Sequence, residues 1–160
     1  MRIPPPRRIG ISTGAHWSAS GFRGYVAQAW RGGHAERRAS SGHRGSGIAH
    51  HFKKGQYSAA YSGFEGIEDN TDRIQTREEV TAEQSAGKTL ANALKAAGVT
   101  QVDVVGIAES HCVKDTALDA KRLGFDVTVF EDLTVPVSEE LGVAARKQMA
   151  DAGIILAEAR

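Results

Sequence analysis

The chain has 160 residues, the size of one domain, and its hydrophobic fraction of 41% suits a globular protein. Its single cysteine excludes an internal disulfide and fits a reducing compartment, so we expect a cytoplasmic protein. No run of about 18 apolar residues occurs, so no membrane span is predicted. The net charge of +1 hides an asymmetry. Residues 1–54 hold ten Lys or Arg and one acid, whereas residues 55–160 hold ten Lys or Arg and eighteen acids.

Residues 1–47 differ in composition from the rest of the chain. They are rich in Arg, Gly, Ser, Ala and His, show little apolar periodicity, and contain a single acid, Glu36. Three interpretations remain open: a basic arm that contacts nucleic-acid phosphates, a disordered tail, or out-of-frame or mis-started sequence outside the fold. We favour the last, and therefore predict a domain over residues 48–160 and no nucleic-acid partner.

The predicted domain opens with a short strand that reaches Lys54, followed by a loop rich in glycine and aromatic residues. Lys53 would lie on the opposite face of that strand from Lys54, as a surface lysine. Residues 67–82 are polar, which favours an exposed loop. The next helix is predicted to be capped from Thr81 and to end at Gly98. Its apolar face consists of Leu90, Ala93, Leu94 and Ala97.

Residues 101–132 have the pattern of a parallel strand–helix–strand unit. An apolar run over 102–108 ends in a turn that carries Cys112, a helical pattern covers 111–123, and a second β-rich run covers 126–130. Open α/β sheets bind ligands at such a turn, and the N-terminus of a helix favours a thiolate. Cys112 is therefore a candidate nucleophile, the alternative being a small buried apolar residue.

The remaining residues continue the alternation of helix and strand. Residues 132–136 are predicted as a connecting loop, residues 138–151 as a helix, and residues 154–157 as a last strand. Because helices and strands alternate from residue 48 onward, the predicted fold is α/β with a mostly parallel sheet.

Two segments carry motifs long enough to compare with known families. Residues 106–120 read GIAESHCVKDTALDA, and residues 52–66 read FKKGQYSAAYSGFEG. The first resembles the cysteine segment, and the second the lysine segment, of nicotinamidases in the isochorismatase-like cysteine hydrolase superfamily. The resemblance covers roughly residues 48–158. It implies a three-layer, Rossmann-like sandwich around a mostly parallel sheet, incomplete at its N-terminal strands.

The resemblance implies thiol-based hydrolysis of an amide, with a role in NAD salvage. Cys112 would attack the carboxamide carbon of nicotinamide or a similar small amide, ammonia would leave, and water would release nicotinate from a thioester. Lys54 would lie beside Cys112 and stabilise the developing charge. The backbone N–H groups of Ala108 and Cys112 would form the oxyanion hole, and the Ile107–Ala108 peptide matches a family position that is cis. The implied substrate-binding residues are Tyr61, Ile107 and His111.

Intact relatives are also expected to hold a divalent metal, zinc, iron or manganese. In residues 10–18, His16-Trp17 faintly resembles the His-aromatic step of the family's metal-site loop, but the Asp-x-His pair that should precede it is absent. His16 is therefore the one weak candidate ligand. The family's first strand ends in Asp-x-Gln, whose aspartate is the general base, and no aspartate precedes Asp69 here.

Two function classes follow from these observations. The chain is either a hydrolase of nicotinamide or a related small amide, or an inactive, truncated or frameshifted remnant of such an enzyme. The missing aspartate favours the second class, because general acid–base help is worth roughly 10²–10⁴-fold in rate. We expect a small-molecule substrate, no membrane partner, and a possible homo-oligomer.

Overall fold

The computed structural model describes residues 7–18, 21–31, 48–69 and 75–159. The strands within these ranges form one sheet in the order β4-β3-β2-β1-β5-β6-β7. Their bounds are β1 Arg7–Ser18, β2 Gly21–Arg31, β3 Ile48–Lys54, β4 Ile67–Glu68, β5 Val99–Ile107, β6 Asp126–Val135 and β7 Ile155–Ala157.

The sheet is mostly parallel, which confirms the predicted α/β class. Strands β1, β5, β6 and β7 run in one direction. Strand β2 is antiparallel to both β1 and β3, so β3 also shares that direction, and β4 opposes it. The carboxyl ends of β3 and β5 therefore lie at the same edge of the sheet, where an open α/β sheet places its ligand site.

Four α-helices lie within the described ranges: α1 Arg77–Ser85, α2 Leu90–Ala96, α3 Lys114–Arg122 and α4 Glu139–Asp151. The helix predicted to run from Thr81 to Gly98 is in fact two helices. Gly87 separates them with a left-handed φ of 76°, and Thr89 caps the second by accepting a hydrogen bond from the Asn92 N–H. The first helix begins at a capping box formed by Thr76 and Glu79, so the predicted cap at Thr81 is wrong.

The described core lies on one face of the central strands, because its residues on β1, β5 and β6 are register partners of one another. Ile11 of β1, Val104 of β5 and Val129 of β6 are fully buried, and Ala117 and Ala120 bring α3 against the sheet. Small residues at these helical positions let α3 approach the strands closely, which sets the position of its N-terminus. Within the described ranges, no helix has the length and apolar character needed to cross a bilayer.

Two parts of the sheet differ from the predicted layout. Strand β6 continues to Val135, through the predicted loop 132–136, after an irregularity in its pairing with β5 between Val104 and Gly106. Strands β1 and β2 lie within segment 1–47, and β1 pairs directly with β5. The domain boundary at residue 48 stays a prediction.

Candidate active site

Cys112 lies in a turn that connects the carboxyl end of β5 to α3. Residues Glu109–Val113 form a π-helical turn, in which the Ala108 carbonyl oxygen accepts hydrogen bonds from the N–H groups of His111 and Val113, each at 3.1 Å. The cysteine is 2% exposed. The turn thus holds a single thiol at the ligand-binding edge of the sheet, against the first turn of a helix.

The chain enters this turn through an unusual backbone. The Ile107–Ala108 peptide bond is cis, as the resemblance implied. Gly106 has a φ of 115°, and a Cβ placed there would lie 2.0 Å from the carbonyl oxygen of Thr13 on β1. Only glycine fits this position, because a side chain would force β1 and β5 apart just before the turn.

Lys54 is the last residue of β3 and is 1% exposed. Its ammonium donates hydrogen bonds to the Tyr61 carbonyl oxygen and to Cys112. Burial lowers the pKa of Lys54, and the negative charges of Cys112, Glu65 and Asp115 oppose that effect. The structure therefore brings the two predicted catalytic residues into contact, from a strand and a turn that are distant in sequence.

Lys53, which precedes Lys54 on β3, is less exposed than predicted. Lys53 was expected on the surface, but its side chain is 17% exposed and lies 2.8 Å from the carboxylate of Asp69, which is itself buried. The prediction was wrong because β4 and the residue that follows it cover this side of the sheet edge, which the polar character of residues 67–82 did not indicate.

The loop after Lys54 is fastened to the helix that follows Cys112. Ser62 and Glu65 form a capping box around the short 3-10 turn Gly63–Glu65. The Gly63 N–H donates to the Thr116 hydroxyl at 2.8 Å, in a buried hydrogen bond. Because Thr116 lies one turn beyond Cys112 on α3, this bond fixes the lysine loop relative to the cysteine turn.

The predicted substrate-binding residues provide aromatic and apolar surface beside the thiol. The rings of Tyr61 and His111 are in contact, with centroids 5.3 Å apart and planes inclined by 56°. Tyr61 is 50% exposed and Ile107 is 57% exposed, so both present surface to solvent at this edge. The Ser110 hydroxyl lies 3.0 Å from Nδ1 of His111, which orients the imidazole ring. The roles of these residues, and of the Ala108 and Cys112 N–H groups as an oxyanion hole, stay predictions.

A buried ion pair beside the cysteine had no signal in the sequence. Glu109 is 1% exposed, and both of its carboxylate oxygens accept hydrogen bonds from Nη1 of Arg146, at 2.9 and 3.1 Å. The partners stand 37 residues apart, on the cysteine turn and on α4. Local periodicity does not report a contact over that separation, and a Glu before a turn is ordinarily exposed.

The described residues do not supply a metal site. Among them, no group of three or more His, Cys, Asp or Glu side chains could hold a metal ion. The predicted ligand, His16, belongs to strand β1, but its side chain lies outside the described residues. The donors that are described do not fit the divalent metal that the resemblance implies.

The sequence matches the Isochorismatase domain family over residues 37–160. This match covers most of the chain, and the chain belongs to the isochorismatase family of hydrolases. Its α/β fold, with a mostly parallel sheet and a cysteine at the carboxyl end of a central strand, agrees with that assignment.

The relatives include nicotinamidases, as the two motifs indicated. The nicotinamidase/pyrazinamidase of Mycobacterium tuberculosis is 44% identical over 105 residues, covering 66% of this chain and 48% of that protein. The nicotinamidase of Saccharomyces cerevisiae is 45% identical over 40 residues, covering 25% of this chain and 18% of that protein. The chain therefore spans at most about half the length of these curated relatives.

Solved structures of similar proteins carry related names. The pyrazinamidase of Pyrococcus horikoshii, solved with zinc, is 32% identical, with a TM-score of 0.48 over 63% of this chain and 45% of that one. A protein of L. infantum solved with nicotinate is 33% identical, with a TM-score of 0.46 over 62% of this chain and 42% of that one.

Proposed function

We propose that the chain is an amide hydrolase of the nicotinamidase type, which converts nicotinamide and water to nicotinate and ammonia in the NAD salvage of the cytoplasm. The observation that carries the proposal is the contact between buried Lys54 and Cys112 at the carboxyl edge of the sheet. The name and the 44% identity of the M. tuberculosis relative support the choice of substrate.

The first half of the reaction forms a thioester. The Cys112 thiol transfers its proton to the Lys54 amine, which is accessible as a base because burial lowers its pKa. The sulfur bonds to the carboxamide carbon, and the carbonyl oxygen takes up the negative charge. The carbon–nitrogen bond then breaks as the nitrogen receives the proton from the Lys54 ammonium, and ammonia leaves.

The second half releases the acid. A water molecule attacks the thioester carbon and gives one proton to the Lys54 amine, the carbon–sulfur bond breaks, and the electron pair returns to the sulfur of Cys112. Nicotinate and the second proton of the water leave, so the Lys54 ammonium again lies beside the Cys112 thiolate, as after the first proton transfer. The N–H groups of Ala108 and Cys112 would stabilise the oxyanion in both halves, an effect worth about 3–4 kcal/mol for one well-placed donor.

The substrate ring would bind against the exposed aromatic surface. A pyridine ring can stack on Tyr61, whose own ring already contacts His111, and Ile107 would cover the opposite edge. Lys54 takes the place of the family's general base in this scheme, because no aspartate precedes Asp69.

The test is ammonia release from nicotinamide by the purified chain. We expect turnover that disappears in Cys112→Ala, while circular dichroism shows that the variant keeps its fold. Pyrazinamide is the second substrate to assay, since the M. tuberculosis relative is named for both amides. Turnover that survives in Cys112→Ala would overturn the thioester scheme.

The competing function is an inactive remnant of the family, which the missing aspartate favours. It predicts no ammonia release from a soluble, folded chain with either amide. Active-site labelling separates the two outcomes further, because a hydrolase should form a Cys112 thioester that mass spectrometry detects after rapid acid quenching, and a remnant should not.

A further inference from the structure

The ion pair between Glu109 and Arg146 stands beside the nucleophile, and no step of the proposed chemistry uses it. Glu109 is the first residue of the turn that carries Cys112, and its side chain is 2% exposed. A carboxylate removed from water to this extent is strongly unfavourable unless it keeps its partner. Either the ion pair contributes something that two apolar side chains in its place would not, or two apolar side chains could replace it.

Arg146 reaches the turn from α4 and also contacts two exposed carboxylates. Its Nη2 lies 2.7 Å from Glu139, whose side chain is 79% exposed, and its Nε lies 3.8 Å from Glu131, whose side chain is 40% exposed. Water screens these two contacts, so the buried contact with Glu109 is the strong one. Arg146 thus connects the cysteine turn to α4 and, more weakly, to β6.

Helix α4, which carries Arg146, cannot easily shift relative to residues 136–138, which connect it to β6. A Cβ on Gly142 would lie 2.9 Å from the Pro136 side chain, so α4 packs tightly on the connection that precedes it. That connection also touches the cysteine turn, because the Val137 N–H donates to the Ser110 hydroxyl at 3.2 Å. The support that α4 and the connection before it give to the turn is therefore rigid.

We propose that the Glu109–Arg146 ion pair is a positioning device that holds the cysteine turn so that Cys112 stays in contact with Lys54. Without Arg146, the buried carboxylate must move toward water, and the turn moves with it. The thiol then loses its opposite charge and reacts more slowly as a nucleophile. The effect on turnover rests on the proposed function, but the effect on the thiol does not.

Alkylation by iodoacetamide tests the proposal, and the chain's single cysteine makes the reaction specific to Cys112. We expect Arg146→Met to slow alkylation near neutral pH roughly tenfold, the size of effect that the loss of one nearby opposite charge produces. Arg146→Lys, which keeps a cation, should recover part of the rate. Glu139→Gln, which removes an exposed partner of the same arginine, should leave the rate unchanged.

A double-mutant cycle with Lys54→Met separates positioning from simple loosening. If Arg146 acts by keeping Cys112 near Lys54, Arg146→Met should have little further effect in the Lys54→Met background. A purely structural role predicts the opposite sign, since a loosened turn would expose a buried thiol and speed its alkylation. An unchanged or faster rate in Arg146→Met, or additive effects in the cycle, would overturn the proposal.

These outcomes are independent of nicotinamide hydrolysis. Slower, coupled alkylation in a chain that releases no ammonia would support the positioning role while the proposed function fails. Ammonia release by a chain whose alkylation rate does not change in Arg146→Met would support the proposed function while the positioning role fails. Should Arg146→Met fail to fold, Arg146→Lys provides the comparison, because it keeps a cation but not the full arginine contact, and it should still be alkylated more slowly than the unsubstituted chain.

Discussion

Because Lys54 is buried, the free energy of unfolding depends on pH, and the sign of that dependence follows from the direction in which the pKa of Lys54 is shifted. Burial lowers the pKa of Lys54 below its ordinary value of 10.5. Between the folded and the unfolded pKa, the unfolded chain therefore binds a proton that the folded chain lacks, and stability must rise with pH. The cost of burying the charge is full below the folded pKa and disappears above 10.5.

Lys54→Met removes this dependence and supplies the comparison. The free energy of unfolding of the lysine-containing chain, minus that of the methionine variant, should increase with pH. Its slope cannot exceed about 1.4 kcal/mol per pH unit, the value for one proton. Since Lys54 is 1% exposed, water screens little of the effect.

The assay is urea unfolding of both chains from neutral pH to above the ordinary lysine pKa. Both chains should also carry Cys112→Ser, which removes the thiol, so that the difference between them reports Lys54 alone. The charge of Cys112 opposes the lowering of the lysine pKa, so its removal leaves the sign of the effect intact. A difference that is flat or falls with rising pH would refute the reasoning.

Two further predictions concern the supports of the site. Gly106→Ala should destabilise the fold by about 1–3 kcal/mol or more, because the new Cβ would lie 2.0 Å from the Thr13 carbonyl oxygen; thermal unfolding measures the loss. Thr116→Val should cost about 1–3 kcal/mol in urea unfolding, because it leaves the buried Gly63 N–H without its hydroxyl acceptor, and it should also slow ammonia release by freeing the lysine loop.

Each of these variants has a matched control in the same chain. Gly124→Ala also places alanine at a left-handed φ, of 91°, but its Cβ would meet no atom within 4 Å, so it isolates backbone strain from collision. Thr81→Val removes an exposed hydroxyl that donates to the Arg77 carbonyl oxygen. If either control is as destabilising as its partner, the packing argument for that site is wrong.

The strand–turn–helix–strand unit could be predicted because its signals are local. The apolar run of β5, the spacing of Ala117 and Ala120, and the break at Gly124 each lie within a few residues of the element that they define. The π-helical turn was not predictable in this way, since a helical pattern from 111 onward looks the same whether its first turn is α or π.

The residues of the candidate site also differ in whether local signals in the sequence predict them. Cys112 follows from its place at the end of a strand, whereas Lys54 was identified only by the motif, because an isolated lysine in a strand ordinarily faces solvent. Its neighbour Lys53 was misjudged for that reason. Glu109 and Arg146 could not be paired at all, since the contact depends on how α4 packs against the sheet.

The buried ion pair also constrains how this sequence can change over evolutionary time. If Arg146 is lost first, the Glu109 carboxylate stays buried without its partner, and breaking a buried pair in this way costs about 3–5 kcal/mol. Losing Glu109 first, as a neutral Gln, leaves an arginine that still faces Glu139 and Glu131 near the surface. The tolerated route therefore has an order: the carboxylate is replaced before the arginine, and lineages that keep an acid at this position should keep the cation opposite it.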